Sequence, residues 1–350
     1  MTPASGPVAD GIADLDPVFL TAALGREVVE AQAAPVGAGQ IGATYRLTLR
    51  YGSGADGPTT LVAKLAAADP DHRAGVAGGY RSEVGFYRHV APTVEVATPA
   101  CWYAAIADDG AAFTLLLDDL APATTLAMVE TCTVAQAEAA LRNIAGLHAS
   151  RWNDPALAEL EFLLVDDDLD LGALHVGATE QFVARYDGAL DPAEVDTLRR
   201  AAEATAAWTT ARPEPFSVVH GDYRLANITF HPDGPTAVVD WQTAILASPA
   251  RDVAYFLGTC VDPALRRECE RRLVGVYHQE LLARGVRGYG ADRCFDDYRF
   301  GQLHGPLITV LGSEFATITR TPSADAMFLA MARRSCVAIR DLGTLALLDG

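Results

Sequence analysis

The stretch that decides the fold is Val218-Val219-His220-Gly221-Asp222-Tyr223-Arg224-Leu225-Ala226-Asn227, followed at once by Ile228-Thr229-Phe230. Apolar, β-branched residues on both sides read as short strands, so the polar residues between them form a loop. Asp222 and Asn227 sit five apart on that loop, and Arg224 stands two past Asp222. A His231-Pro232-Asp233-Gly234 turn then sends the chain back into Ala237-Val238-Val239-Asp240-Trp241-Gln242. That hairpin returns Asp240 towards Asn227. Asn227 and Asp240 offer the oxygen donors that a hard divalent cation selects.

Working outward, one compositional fact stands out. Of the 27 basic residues only Lys64 is a lysine; the rest are arginine. A chain that replaces Lys by Arg wherever either cation serves keeps Lys where a compact point charge is needed and a planar fork is not. Lys64 lies in Thr60-Leu61-Val62-Ala63-Lys64-Leu65, an apolar strand. Before it comes Gly37-Ala38-Gly39-Gln40-Ile41-Gly42, and then Tyr45, Leu47, Leu49 and Tyr51 alternating with polar residues. Period two means a strand follows the glycines. A dinucleotide fold would put a helix there. Strand, glycines, strand is instead a hairpin whose bare backbone at Gly37, Gly39 and Gly42 can close over phosphates.

A helix is expected over Gly79 to Val90, with Glu83, Tyr87 and Val90 on one face and Glu83 placed to orient Lys64. The apolar run Phe113 to Leu117 ends in Asp118-Asp119-Leu120, read as the last strand and a connector whose backbone groups, at Asp118 and Leu120, would meet adenine.

Composition narrows the classes. The chain has 350 residues, long for one core, and half of them are hydrophobic; two lobes are expected. A net charge of −18 with no basic block argues against nucleic acid or an anionic membrane as partner. Met1 to Asp16 has acids and no basic n-region, and no apolar run reaches a spanning length. The six cysteines are scattered without a C-x-x-C pair, so neither zinc site nor disulfide framework is suggested. The expectation is a reduced, cytoplasmic protein.

Together these features match phosphoryl transfer. A carboxylate must orient the attacking hydroxyl and accept its proton, while oxygen ligands hold Mg²⁺ on the triphosphate. The interval from Asp222 to Asn227 equals that of the kinase loop H-R-D-x-x-x-x-N. The chain resembles the aminoglycoside phosphotransferase and choline kinase superfamily, most closely its ecdysteroid-kinase-like bacterial branch. The resemblance is carried by the glycine stretch, Glu83 to Arg88, Leu115 to Leu120, Ile144 to Ala149, the His220 to Asn227 loop, Asp240-Trp241-Gln242, and Pro249 to Leu257.

The resemblance implies an α+β, two-lobed, protein-kinase-like fold. Residues 1–118 would form an antiparallel-sheet N-lobe with one helix, binding nucleotide. Residues 119–350 would form a mainly helical C-lobe with the catalytic loop and the acceptor site. It implies ATP and Mg²⁺, with Asp222 as base and Arg224 near the transferring phosphate. Asn227 and Asp240 would be metal ligands, Lys64 the phosphate cation and Glu83 its partner, with His220 and Asp252 bracing the loop. His148, in a helix stripe with Leu141, Ile144 and Trp152, reads as a core or bracing histidine.

The departures favour a small hydroxyl acceptor. Gly221 stands for the Arg of H-R-D, Asp240-Trp241-Gln242 for D-F-G, and no room remains for an activation loop. Asp166-Asp167-Asp168 with Asp170 could receive a cationic acceptor. Arg266, Arg267, Arg271 and Arg272 could meet an acyl-CoA phosphate or form a solvated face, and Trp208, Tyr289, Phe295 and Tyr298 read as core. The alternatives left open are an aminoglycoside or macrolide resistance phosphotransferase, a hydroxyacyl-CoA kinase and a non-catalytic nucleotide-binding scaffold; oligomeric state is not readable. Lys64→Arg is expected to lower kcat/KM although the charge is kept. Steady-state kinetics check it, and unchanged constants would show that an arginine serves equally well at this position.

Overall fold

The computed structural model describes residues 6–36, 42–165, 169–316 and 320–348. They divide into two compact units, the first drawn from Met1–Val94, Thr98–Pro122 and Val239–Thr243 and the second from the remainder.

The first unit is built on five antiparallel strands: β1 (Val28–Pro35), β2 (Gly42–Tyr51), β3 (Thr60–Ala66), β4 (Cys101–Ile106) and β5 (Phe113–Asp118), in the order β1-β2-β3-β5-β4. Alternation sorts the two faces. In β2, Leu47 and Leu49 are buried while Arg46, Thr48 and Arg50 are exposed. In β3, Leu61, Ala63 and Leu65 are buried in a cluster with Leu20, Val28, Tyr103 and Leu116. Each such Leu contributes about 1.5–3 kcal/mol by leaving water. Period two then sends Lys64 to the opposite face of β3.

Two helices accompany this sheet, one more than expected. Helix α1 (Pro17–Leu24) is capped by Asp16, which accepts from the Phe19 amide, and ends at Gly25 with φ +65°. Helix α2 spans Pro70–Gly85 and continues as one wider turn, Phe86–Val90. It begins at Pro70 and not at Gly79, because Asp69 caps it and Pro70 occupies the first turn. Gly75, Gly78 and Gly79 dilute the periodic pattern there. Glu83, Tyr87 and Val90 are all buried, as their shared face requires.

The second unit is largely helical: α3 (Val134–Ser150), α4 (Leu171–Arg185), α5 (Pro192–Ala211), α6 (Ala250–Cys260), α7 (Pro263–Ala283), α8 (Ala291–Phe300), α9 (His304–Leu311) and α10 (Pro322–Leu342). Two small ladders interrupt the helices. β6 (Ser217–Val219) pairs with β9 (Ile245–Ala247), and β7 (Ile228–Thr229) pairs with β8 (Ala237–Val238). The His220–Asn227 loop is thus the connection between β6 and β7. Trp208, Phe300, Leu303, Leu307 and Ile339 form one core cluster, with the Trp208 indole donating to the Phe300 carbonyl at 2.9 Å.

Several surface expectations resolve into structure. Arg266 is buried between Glu270 and Asp341, Arg267 pairs with Asp341, Arg272 pairs with Glu138, and Arg271 lies over the Phe295 ring. Three of the four arginines considered for an acyl-CoA phosphate are therefore committed to carboxylates. Trp208, Tyr289 and Tyr298 are core, and Phe295 is half-buried. Asp170 caps α4 through the Ala173 amide, while Asp166, Asp167 and Asp168 lie outside the described residues. All six cysteines are buried and unpaired. Among the described residues no helix is long and apolar enough to cross a membrane.

His175 on α4 and His304 at the start of α9 are fully buried, and burial pushes each down to about 4 from an ordinary 6.5. The unfolded chain therefore takes up protons first, and stability is lost as pH falls from 6.5 towards 4. The loss approaches the order of 3 kcal/mol per histidine at the acid end. Thermal unfolding between pH 7 and 4.5 should show this slope, and His175→Gln should flatten it; parallel slopes would contradict it.

Candidate active site

Two constellations, one in each unit, contain the residues singled out above. In the first, β3 carries Lys64 and α2 carries Glu83, and the Lys64 Nζ donates to Glu83 Oε1 at 2.5 Å. It also donates to Asp240 Oδ1 at 3.1 Å, while Gln242 Nε2 donates to Glu83 Oε2 at 3.3 Å. Glu83 is fully buried and the Lys64 side chain nearly so. Burial works against the Lys64 charge, but Asp240 and Glu83 override it and hold the ammonium well above its ordinary value. Burial in turn pushes Glu83 up, against the pull of Lys64. With both carboxylates ionised, two negative charges face one positive, and the surplus falls towards Asp240, whose side chain is 41% exposed.

Asp240 is held there by its neighbour. Trp241 is buried and stacks on Phe86 with ring centroids 3.6 Å apart and planes 8° from parallel, and its indole donates to Thr98 Oγ1 at 3.0 Å. Asp240 has φ +68°, in the left-handed region that Asp tolerates better than most residues. Such a residue stores roughly 1–3 kcal/mol, and persists where the surroundings over-determine it.

Of the glycines, Gly37 and Gly39 lie outside the described residues. Gly42 begins β2, where a Cβ would sit 2.6 Å from the Leu65 carbonyl oxygen. Close strand approach therefore demands glycine at 42. Asp118 ends β5, accepting from the Trp102 indole at 2.7 Å, and its own amide is spent on the Ala100 carbonyl. Leu120 follows, half-buried, just past Asp119, which binds Arg46 at 2.7 Å.

In the second unit the His220–Asn227 loop is held from below by α6. Asp252, fully buried, accepts from the amides of His220 at 2.7 Å and Gly221 at 3.0 Å, and from His148 Nε2 at 3.2 Å. Burial opposes its charge, yet His148 and the amide donor of His220 hold Asp252 below the usual carboxylate range. His148 is anchored through Nδ1 to the Tyr277 hydroxyl at 2.9 Å. Gly221 has φ +82°, which excludes the arginine found at this place in H-R-D loops.

Asp222 is surrounded by donors. Tyr255 donates to Oδ1 at 2.8 Å; Arg224 Nε and Asn227 Nδ2 donate to Oδ2 at 2.8 and 3.0 Å. A carboxylate accepts at about four positions, so one place on Oδ1 remains. Because Nδ2 of Asn227 is turned to Asp222, its Oδ1 is the atom left for a cation. The β7–β8 ladder starts one residue past Asn227 and ends two residues before Asp240. No group of three or more His, Cys, Asp or Glu suited to a metal occurs among the described residues. Asn227 in the second unit and Asp240 in the first each carry an oxygen of the kind a hard divalent cation such as Mg²⁺ takes.

Lys64, Glu83 and Asp240 are thus brought together, as are Asp222, Arg224 and Asn227; Asp118 and Leu120 stand apart at the end of β5. Tyr255 and His304 were missed. His304 Nε2 donates to the Gly221 carbonyl at 2.8 Å. The signal for Tyr255 was its place one helical turn past Asp252; nothing in sequence pointed to His304.

Residues 32–301 match the model described as the phosphotransferase enzyme family. Among solved structures, the fold is similar to the wild-type aminoglycoside 2'-phosphotransferase-IIIa in its GDP complex, 14% identical over 88% of this chain and 93% of that one, TM-score 0.53. It is similar also to a Plasmodium vivax ethanolamine kinase, 9% identical over 89% and 83%, TM-score 0.52. Identities this low show likeness of fold. A 46-residue stretch is 46% identical to mouse acyl-CoA dehydrogenase family member 10, covering 13% of this chain and only 4% of that protein.

Tyr255→Phe should lower turnover by ~10–100-fold, the weight of one hydrogen bond to a charged group, with the melting temperature retained. Unchanged turnover would deny Tyr255 any part in holding Asp222.

Proposed function

The chain belongs to the phosphotransferase enzyme family, and from that premise we propose that it transfers the γ-phosphate of ATP to a hydroxyl of a small acceptor, with Asp222 as base. The observation that carries this reading is the Asp222 carboxylate, fixed by Tyr255, Arg224 and Asn227 with one acceptor position left on Oδ1. An alcohol donating to that position is oriented for attack. As its oxygen bonds to the γ-phosphorus, the proton passes to Oδ1, the bond to the bridging oxygen breaks, and ADP leaves.

Lys64 serves as the cation for the α- and β-phosphates, held by Glu83. Arg224 can offer its guanidinium to the γ-phosphate. Asn227 Oδ1 and Asp240 would hold Mg²⁺, which would offset the negative charge of the triphosphate. The negative surplus around Lys64 supports that assignment, since it suits a divalent cation near Asp240. Leu120 and the carbonyl of Asp118 are the connector groups offered to adenine. Catalysis then rests on positioning and fixed charges.

The test is ADP release from ATP and Mg²⁺ with a panel of aminoglycosides, macrolides, choline, sugars, sterols and hydroxyacyl-CoA thioesters. One class should stimulate release, and Asp222→Asn should reduce it ~10²–10⁴-fold, the weight of a general base, while ATP still raises Tm. An active Asp222→Asn protein would sink the role. ATP binding with no stimulated release by any acceptor would favour a non-catalytic nucleotide-binding scaffold, and failure of ATP to bind would remove the kinase reading.

A further inference from the structure

Arginine heads in this chain are nearly all committed to carboxylates or backbone carbonyls. Among the described residues Arg251 and Arg271 are the exceptions, carrying no hydrogen bond or ion pair on the guanidinium. Arg271 is exposed, and water satisfies it. Arg251 is only half-exposed, lies 4.2 Å over the ring of buried Trp208, and has five N–H donors with no protein acceptor. The adjacent Asp252 favours its charge but spends its oxygens on His220, Gly221 and His148, so the half-buried guanidinium is left without a hydrogen-bond acceptor from the protein.

The surroundings show what that cation faces. Arg251 and Tyr255 stand four apart on α6, hence on one face, and Tyr255 reaches Asp222. The His304 ring lies 5.5 Å from Tyr255 and 6.3 Å from Trp208. Since its Nε2 donates to the Gly221 carbonyl, Nδ1 of the neutral ring is a bare acceptor, and it is buried without a partner. Burial first, and then the Arg251 charge, hold His304 neutral, down to about 4. Burial likewise pulls Arg251 down to about 10. An uncommitted cation and an uncommitted acceptor therefore occur together one helical turn, about 6 Å of rise, from the residue that holds the base.

We propose that Arg251 binds a carboxylate or phosphate group carried by the hydroxyl acceptor, with His304 Nδ1 accepting from a neighbouring O–H or N–H of the same molecule. This rests on the function proposed above and specifies its substrate class: a small hydroxy compound whose anionic group lies a few bonds from the reacting hydroxyl. An unpaired guanidinium in this place repels the ammonium groups of an aminosugar, so polycationic acceptors are disfavoured.

The experiment has two arms. In the first, glycolate, 3-hydroxybutyrate, glycerol 3-phosphate and inorganic phosphate are titrated against the whole protein, with binding read by calorimetry. At least one should bind saturably, and Arg251→Gln should weaken it ~10-fold or more, with Arg251→Lys intermediate and the melting curves confirming a folded variant. In the second, ATP-dependent phosphorylation of an anionic hydroxy compound is compared with its neutral alcohol analogue. Arg251→Gln should lower the kcat/KM ratio of anionic over neutral acceptor ~10-fold or more, chiefly through KM. No saturable anion binding, or binding indifferent to Arg251→Gln, overturns the proposal, as does a preference for neutral or cationic acceptors. Anion binding without phosphorylation of any acceptor would instead count against the kinase reading.

Discussion

The His220–Asn227 loop depends on one buried carboxylate. Asp252, fully buried, takes the amides of His220 and Gly221 and so supplies the partners that buried backbone donors require. Losing it would orphan two buried N–H groups and strand His148 as well. Because Asp252 and Tyr255 share α6, the helix that fixes the loop backbone also fixes the carboxylate the loop presents. Gly221, with its positive φ, lets the chain turn from one to the other.

The Lys64 constellation follows a different logic. There the charges do not cancel: one ammonium faces Glu83 and Asp240. Glu83 is fully buried and supported by Gln242, so its place is fixed. Asp240 is the more exposed carboxylate and is kept in a strained conformation by the stacked pair Trp241 and Phe86. Apolar stacking here supports a charge it never touches.

Most of this was readable from residue order. Alternation marked β2, and the apolar run Thr60 to Leu65 marked β3, while the face that Lys64 takes came only with the burial of Leu61, Ala63 and Leu65. The spacing of Asp222, Asn227 and Asp240 around a turn identified the loop and hairpin. The start of α2 was harder, because three glycines blur its period and only the cap at Asp69 marks it. Strand β4 was not singled out, since Cys101 to Ile106 is apolar on both faces and shows no alternation. His304, Trp208 and Arg251 were invisible as a group, for α5, α6 and α9 meet only through tertiary packing. Long-range neighbours of that kind leave no local period.

A lone lysine has a consequence for covalent chemistry. Acylating reagents that select ε-amines find a single address in this chain, and that amine is engaged by two carboxylates in the native fold. Its protection is therefore a direct gauge of whether β3, α2 and the Asp240 segment are assembled. In most proteins such labelling averages over many sites; here it reads one.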